Sequence, residues 1–175
     1  MKNFLLLILC LVTFASASAA EIEARLLRFT YNLPPTNEII RLIDCGAIQT
    51  ATSFSARLDR KGQFMHKAVK AVQYPTEFDA RGNPVATEKR ETGICLSGRA
   101  TAVGTASDIQ FQFWSNDLAS TIFYPTKNGI TITQPFFRRK DLKTEVTLEQ
   151  NTWILFRLAD NGDPFHTALL LRVHK

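Results

Sequence analysis

Apolar and polar residues alternate most plainly between Arg139 and Leu158, a stretch reading RKDLKTEVTLEQNTWILFRL. Leu142, Thr144, Val146 and Leu148 share one face at period two, while Lys143, Glu145 and Thr147 share the other. That is the pattern of a strand with one covered side. Glu149-Gln150-Asn151 interrupts it, and Trp153-Ile154-Leu155-Phe156 follows as an unbroken apolar run, as in a strand covered on both faces. The stretch predicts a β-hairpin at the centre of the core.

The same reading extends along the chain. Glu21 to Tyr31 predicts a strand, broken by Asn32-Leu33-Pro34-Pro35. Thr36 to Gly46 predicts one short helix, near residues 36–45: Pro35 and Thr36 supply its start, Ile39, Ile40, Leu42 and Ile43 its apolar stripe, and Gly46 its stop. Ile48 to Leu58 and Gln63 to Tyr74 predict two strands joined in a hairpin by Asp59-Arg60-Lys61-Gly62. Helical spacing of Met65, Ala68 and Val72 leaves a helix as the alternative for Phe64 to Val72. Pro75 to Pro84 predicts a loop. Val85 to Gly104 is polar at first and then apolar, and Thr105 to Asp108 turns. Ile109-Gln110-Phe111-Gln112-Phe113 alternates, with one face buried or lipid-facing. Asn128-Gly129 signals a hairpin before Ile130 to Thr133, and Pro135 ends that strand or places it at an edge. Asp160 to Pro164 predicts a turn and Phe165 to Val173 the closing strand. The fold class expected is mainly β (α+β), an antiparallel, sandwich-like single domain with one short helix.

The first 20 residues change this picture, because they read as a signal peptide rather than as part of the fold. Lys2 is followed by the apolar run Phe4 to Phe14 and the small-residue tract Ala15 to Ala20. Cleavage is expected after Ala20, with Ala17 and Ala19 as alternatives. A membrane anchor is the competing reading, and the run is short for a bilayer core of about 30 Å. The remainder, 21–175, is the size of one domain and carries a net charge of +4 once Lys2 is removed. Its densest basic cluster is Arg138-Arg139-Lys140, read as the solvated start of a strand rather than a phosphate, lipid or nucleic-acid site. Export to an oxidising compartment allows a disulfide between Cys45 and Cys95; the alternative is two separate buried thiols.

Candidate chemistry is sparse. His66, His166 and His174 stand at no metal-ligand spacing, and Asp160, Asn161 and Asp163 form only part of a calcium-loop pattern. Cys95 and the Ser97-Gly98 pair are conceivable nucleophiles, with no base nearby in sequence. No cofactor motif is present, no catalytic, cofactor-binding or metal residue is assigned, and no enzymatic activity is expected. Phe111, Phe113, Trp114, Phe123 and Tyr124 are expected in the core, with an interface or membrane girdle as the alternative.

Several of these segments also resemble a known family. Ala56-Arg57-Leu58-Asp59-Arg60-Lys61-Gly62-Gln63 and Ala68 to Asp79, which contains Tyr74-Pro75-Thr76-Glu77-Phe78-Asp79, are similar to a hairpin of bacterial secretin domains. Arg90-Glu91-Thr92-Gly93-Ile94-Cys95-Leu96 resembles a strand of that family, and Phe136 to Leu148 is similar to the family's F-x-x-R-x-hydrophobic-x-T-x-hydrophobic-x-hydrophobic strand. Leu169 to Val173 resembles the family's closing strand. The chain departs at Glu149-Gln150-Asn151, where the family has Asp-Gly-Gln, and at Phe156-Arg157, where it has glycines. The family's longer stretch before the last strand is also replaced by Asp160 to Pro164. The resemblance implies a shortened secretin-like β-domain of the bacterial periplasm or outer membrane. Such a domain is expected to act as an assembly or accessory component of protein secretion or pilus systems. Its partners would be a homo-oligomer or another secretion-system protein, with outer-membrane association and no nucleic acid. The alternative is a monomeric periplasmic or secreted β-domain that binds a small molecule or protein.

Overall fold

The computed structural model describes residues 20–29, 34–46, 48, 50–125, 129–159 and 166–174. The signal peptide and the Asp160–Pro164 turn expected above lie outside the described residues. Eight strands and one helix follow in the order β1 (Glu21–Phe29), α1 (Thr36–Asp44), β2 (Thr50–Arg57), β3 (Gln63–Phe78), β4 (Pro84–Val103), β5 (Ala106–Pro125), β6 (Thr131–Glu149), β7 (Ile154–Leu158) and β8 (His166–His174). Among the described residues they form two antiparallel four-stranded sheets. Sheet A runs β2-β1-β8-β7 and sheet B runs β3-β4-β5-β6. The mainly β, antiparallel domain expected from the sequence is what the chain forms.

Alternation builds the core. Ile22, Ala24 and Leu26 of β1 and Leu169, Leu171 and Val173 of β8 face Leu96 of β4, Ile109, Phe111 and Phe113 of β5 and Leu148 of β6. Phe111 meets Phe156 of β7 edge-to-face, with centroids 5.2 Å apart. Gly98 makes room for the Phe64 ring of β3 and for the neighbouring β5 backbone. A Cβ there would stand 2.2 Å from the Gln110 carbonyl oxygen and 2.8 Å from the Phe64 ring. The other face of sheet A carries Leu27, Phe29, Ala168 and Leu170, and these bury Ile39 of α1. Trp153 and Leu155 join that outer layer while Ile154 and Phe156 join the inner one, so β7 is covered on both faces as expected. The helix ends at Gly46, φ 74°, whose N–H donates to the Ile43 carbonyl.

Two expected hairpins are corners between the sheets. The Asp59 carboxylate accepts the Lys61 and Gln63 N–H groups at 2.8 and 2.7 Å, and Gly62 adopts φ 74°. The turn is therefore as expected, but β2 before it belongs to sheet A and β3 after it to sheet B. At the second corner, β6 belongs to sheet B and β7 to sheet A. There Asn151, φ 63°, donates its N–H to the Val173 carbonyl in sheet A, and the Gln150 N–H reaches the Thr105 carbonyl beside sheet B. A strand on either sheet presents the same apolar face to one shared core, so period two specifies the buried face and leaves the partner strand open.

Three further expectations are corrected. The Pro75–Pro84 loop is shorter: β3 continues through Pro75 to Phe78, because β3 is an edge strand and its register slips between Pro75 and Glu77. Cys45 and Cys95 are not bonded, and both thiols are free. Cys45 is exposed at the end of α1 outside sheet A, and Cys95 lies in the middle of sheet B, with the sandwich between them. Of the five aromatics expected inside, Phe111 and Phe113 are buried, but Phe123 is 65% and Tyr124 47% exposed, beyond the sandwich.

Phe113→Ala is expected to destabilise the fold by about 3–5 kcal/mol, the cost of a large cavity. Phe123→Ala is expected to change stability by no more than about 0.5 kcal/mol. Urea titration of both variants measures the contrast, and equal losses would contradict the placement of Phe123.

Candidate functional site

The strands of sheet B run 16 to 20 residues, those of sheet A only 5 to 9. Sheet B therefore outruns its cover, and its structure changes where the cover ends. The β4–β5 register stops at Gly93–Asn116, while β3–β4 pairing continues to Phe78–Pro84 and β5–β6 pairing to Pro125–Thr131. Beyond that point the sheet is two separate hairpins. Gly93 permits the parting: its φ is 124°, and a Cβ would lie 2.1 Å from the Ala68 carbonyl oxygen. The sequence offered a signal here, an isolated glycine inside a strand pattern, which marks a bend or a close backbone approach.

Polar groups fasten this waist. The Asn116 side-chain amide donates to the Glu91 carbonyl, and Thr92 Oγ1 to the Lys70 carbonyl. Arg28 of β1 pairs with Asp117 of β5. Lys140, expected in the solvated start of a strand, is instead buried in mid-β6 with its ammonium on Thr167 Oγ1 of β8. Its neighbour Arg139 is exposed and donates to both carboxylate oxygens of Asp141 at 2.8–3.0 Å.

Beyond the waist the hairpins lean together through side chains. Phe137 of β6 meets Tyr74 of β3 at 5.3 Å between centroids and lies 5.0 Å beneath the Arg90 guanidinium. Arg139 lies 5.4 Å over Trp114. Between the hairpins opens a cleft of about 350 Å³ lined by Lys89, Arg90, Glu91, Trp114, Phe137 and Arg139. Glu91 is paired with Lys67, and that bond and charge hold the Lys67 ammonium above its ordinary pKa. With Glu91 held by Lys67 and Arg139 by Asp141, Lys89 and Arg90 leave the cleft cationic, and Trp114 and Phe137 give it aromatic walls. The outer parts of β5 and β6 also leave Leu118, Ile122, Phe123, Tyr124 and Phe136 exposed.

The residues imagined as nucleophiles are not assembled into a site. Burial pushes the Cys95 thiol up, against the weaker opposing effect of Lys67, so its reactive thiolate is disfavoured. Ser97 lines a shallow groove with Gln110, Gln112, Lys143 and Glu145. His66 stacks on Phe54 and lies 3.2 Å from the Ser55 carbonyl oxygen, and His174 lies 3.7 Å from Glu21. Among the described residues no group of three His, Cys, Asp or Glu side chains is placed to hold a metal ion, and no helix is long and apolar enough to cross a membrane. Comparison with protein-family models, with curated proteins and with solved structures finds no match for this chain.

A second cluster sits on the outer face of sheet A. Trp153 is held between Arg25 and Arg172 at 4.8 and 4.5 Å, and Glu23 accepts from both guanidinium groups. Burial pushes the Glu23 carboxyl up; the hydrogen bonds and charges of Arg172 and Arg25 outweigh it and leave the pKa below the ordinary value. The lowered pKa places the resulting stability above the unfolded glutamate pKa of about 4, and it is lost as pH falls through the folded value. Glu23→Gln is therefore expected to lower the melting temperature at pH 7 and to leave less stability to lose in acid, as scanning calorimetry between pH 7 and 3 would measure. An unchanged melting temperature at pH 7 would contradict it.

Proposed function

We propose that this chain is a non-enzymatic, exported envelope protein resembling a shortened secretin domain, an assembly or accessory component of a protein secretion or pilus system. It works by strand pairing, with further copies of itself or with another component of that system. The observation that carries the reading is the pair of open edges on sheet B. β3 and β6 border that sheet over 16 and 19 residues, each with one side unpaired among the described residues. Pro75 and the register slip beside it blunt the outer end of β3, and Pro135 blunts that of β6. The inner parts, Gln63 to Tyr74 and Phe136 to Glu149, hold no proline and can template another strand. The ordered resemblance of these same strands to secretin segments supports the assignment, and the apolar side chains exposed beyond the waist suit contact with another protein or a membrane.

The grooves along sheet B are open and shallow, and a small-molecule site is ordinarily an enclosed apolar pocket. This favours the strand-pairing reading over a monomeric small-molecule binder. Size-exclusion chromatography with light scattering on residues 21–175, with and without detergent, tests it. A multi-copy assembly, or aggregation that detergent relieves, is expected. A soluble monomer under both conditions would overturn self-association.

A further inference from the structure

The parting at Gly93 creates a second open edge, distinct from the two borders of sheet B. Beyond Gly93, β4 keeps β3 on one side and loses β5 on the other. In an antiparallel strand the N–H and C=O of one residue point to the same side, and successive residues alternate. The Glu91 carbonyl points to the β5 side, because it accepts from the Asn116 side chain. The backbone groups of Lys89, which lines the cleft, and of Thr87 beyond it therefore point the same way, to the side that β5 has left, with no β5 partner in register.

We propose that this edge of β4 binds an acidic, extended segment of a partner protein, which adds as a strand between the parted hairpins. The inference rests on the strand-pairing reading above and names a separate site and the chemistry of its occupant. Backbone bonds to Thr87 and Lys89 supply the pairing, as in strand addition generally. The surrounding charge selects the partner. An added strand presents alternate side chains to the two faces of β4. In the cleft it meets Lys89, Arg90 and the Phe137 ring; Arg139 also lines the cleft and is already held by Asp141. Glu91, the carboxylate in the cleft, is already neutralised by Lys67. A segment alternating carboxylates with an aromatic or branched residue satisfies these walls, and a basic segment is repelled.

The probe is a fluorescein-labelled peptide of about eight residues, alternating glutamate with valine and tyrosine, titrated into residues 21–175 by anisotropy. Its counterpart carries lysine for glutamate. The acidic peptide is expected to bind at least ~10-fold more tightly than the basic one and to weaken as salt is raised. Thr87→Pro removes one edge donor on the open side and is expected to reduce affinity about 10-fold or more. Lys89→Glu leaves the backbone intact and is expected to reduce it several-fold. Circular dichroism melting of each variant reports folding, so Lys89→Glu decides the matter if Thr87→Pro does not fold. Absence of binding, equal binding of the two peptides, or wild-type affinity in both folded variants would overturn the proposal. Light scattering reads self-association at β3 and β6 separately, so a monomer that binds the acidic peptide overturns self-association alone, and an assembly that ignores it overturns this site alone.

Discussion

The length mismatch between the two sheets governs the structure. At about 3.3 Å per residue, a nine-residue strand covers roughly 30 Å and a twenty-residue strand roughly 65 Å. The β1–β8 pair at the middle of sheet A can therefore desolvate only about half of β4 or β5. The covered half carries the buried residues Ile94, Leu96, Ile109, Phe111 and Phe113. The transition out of that half is marked by Gly93 on β4 and by a register slip between Leu118 and Ser120 on β5. Both devices increase local twist or bend, which a sheet released from its packing partner accommodates readily. Outside, the two hairpins replace a hydrophobic core with ring-to-ring and guanidinium-to-ring contacts centred on Phe137.

Local chemistry was legible in the sequence, and long-range partnership was not. Asp59-Arg60-Lys61-Gly62 and Asp79-Ala80-Arg81-Gly82 show why. Each aspartate accepts the N–H groups two and four residues on, and each glycine has φ between 74° and 80°. The two turns are alike, yet the first carries the chain from sheet A to sheet B and the second closes the β3–β4 hairpin. What separates them lies outside the turn: the Gly62 carbonyl accepts the Ala100 N–H, tying the first turn to β4. The helix, the Ile109–Phe113 alternation and the two-sided burial of β7 needed only local periodicity, and the expectations for them hold. The Arg139–Leu158 stretch needed a choice of partner, and there the expected hairpin is a corner.

The same limit applied to the cleft. Arg90, Trp114, Phe137 and Arg139 belong to three strands and form no spaced motif. They converge because β4 and β5 part at Gly93 while β6 stays with β5. Charge-counting also misjudged Lys140, whose alternation with Leu142 places it on the inward face of β6, where Thr167 receives it. In the function proposed here, the sandwich is the anchor and the uncovered half of sheet B is the working part. Prolines and register slips blunt its outermost edges, while the inner edges and the β4 edge remain available.

The central claim is that β4 beyond Gly93 is a strand paired on one side only. Residue-resolved amide hydrogen exchange on the monomeric form tests it most directly. The account predicts slow exchange across Ile94 to Ala100 and an alternating pattern beyond, with Thr87 and Lys89 exchanging fast and Glu88 and Arg90 protected by β3. Uniform protection from Thr87 through Arg90 would contradict it, because the open side of β4 would then already be paired within the chain.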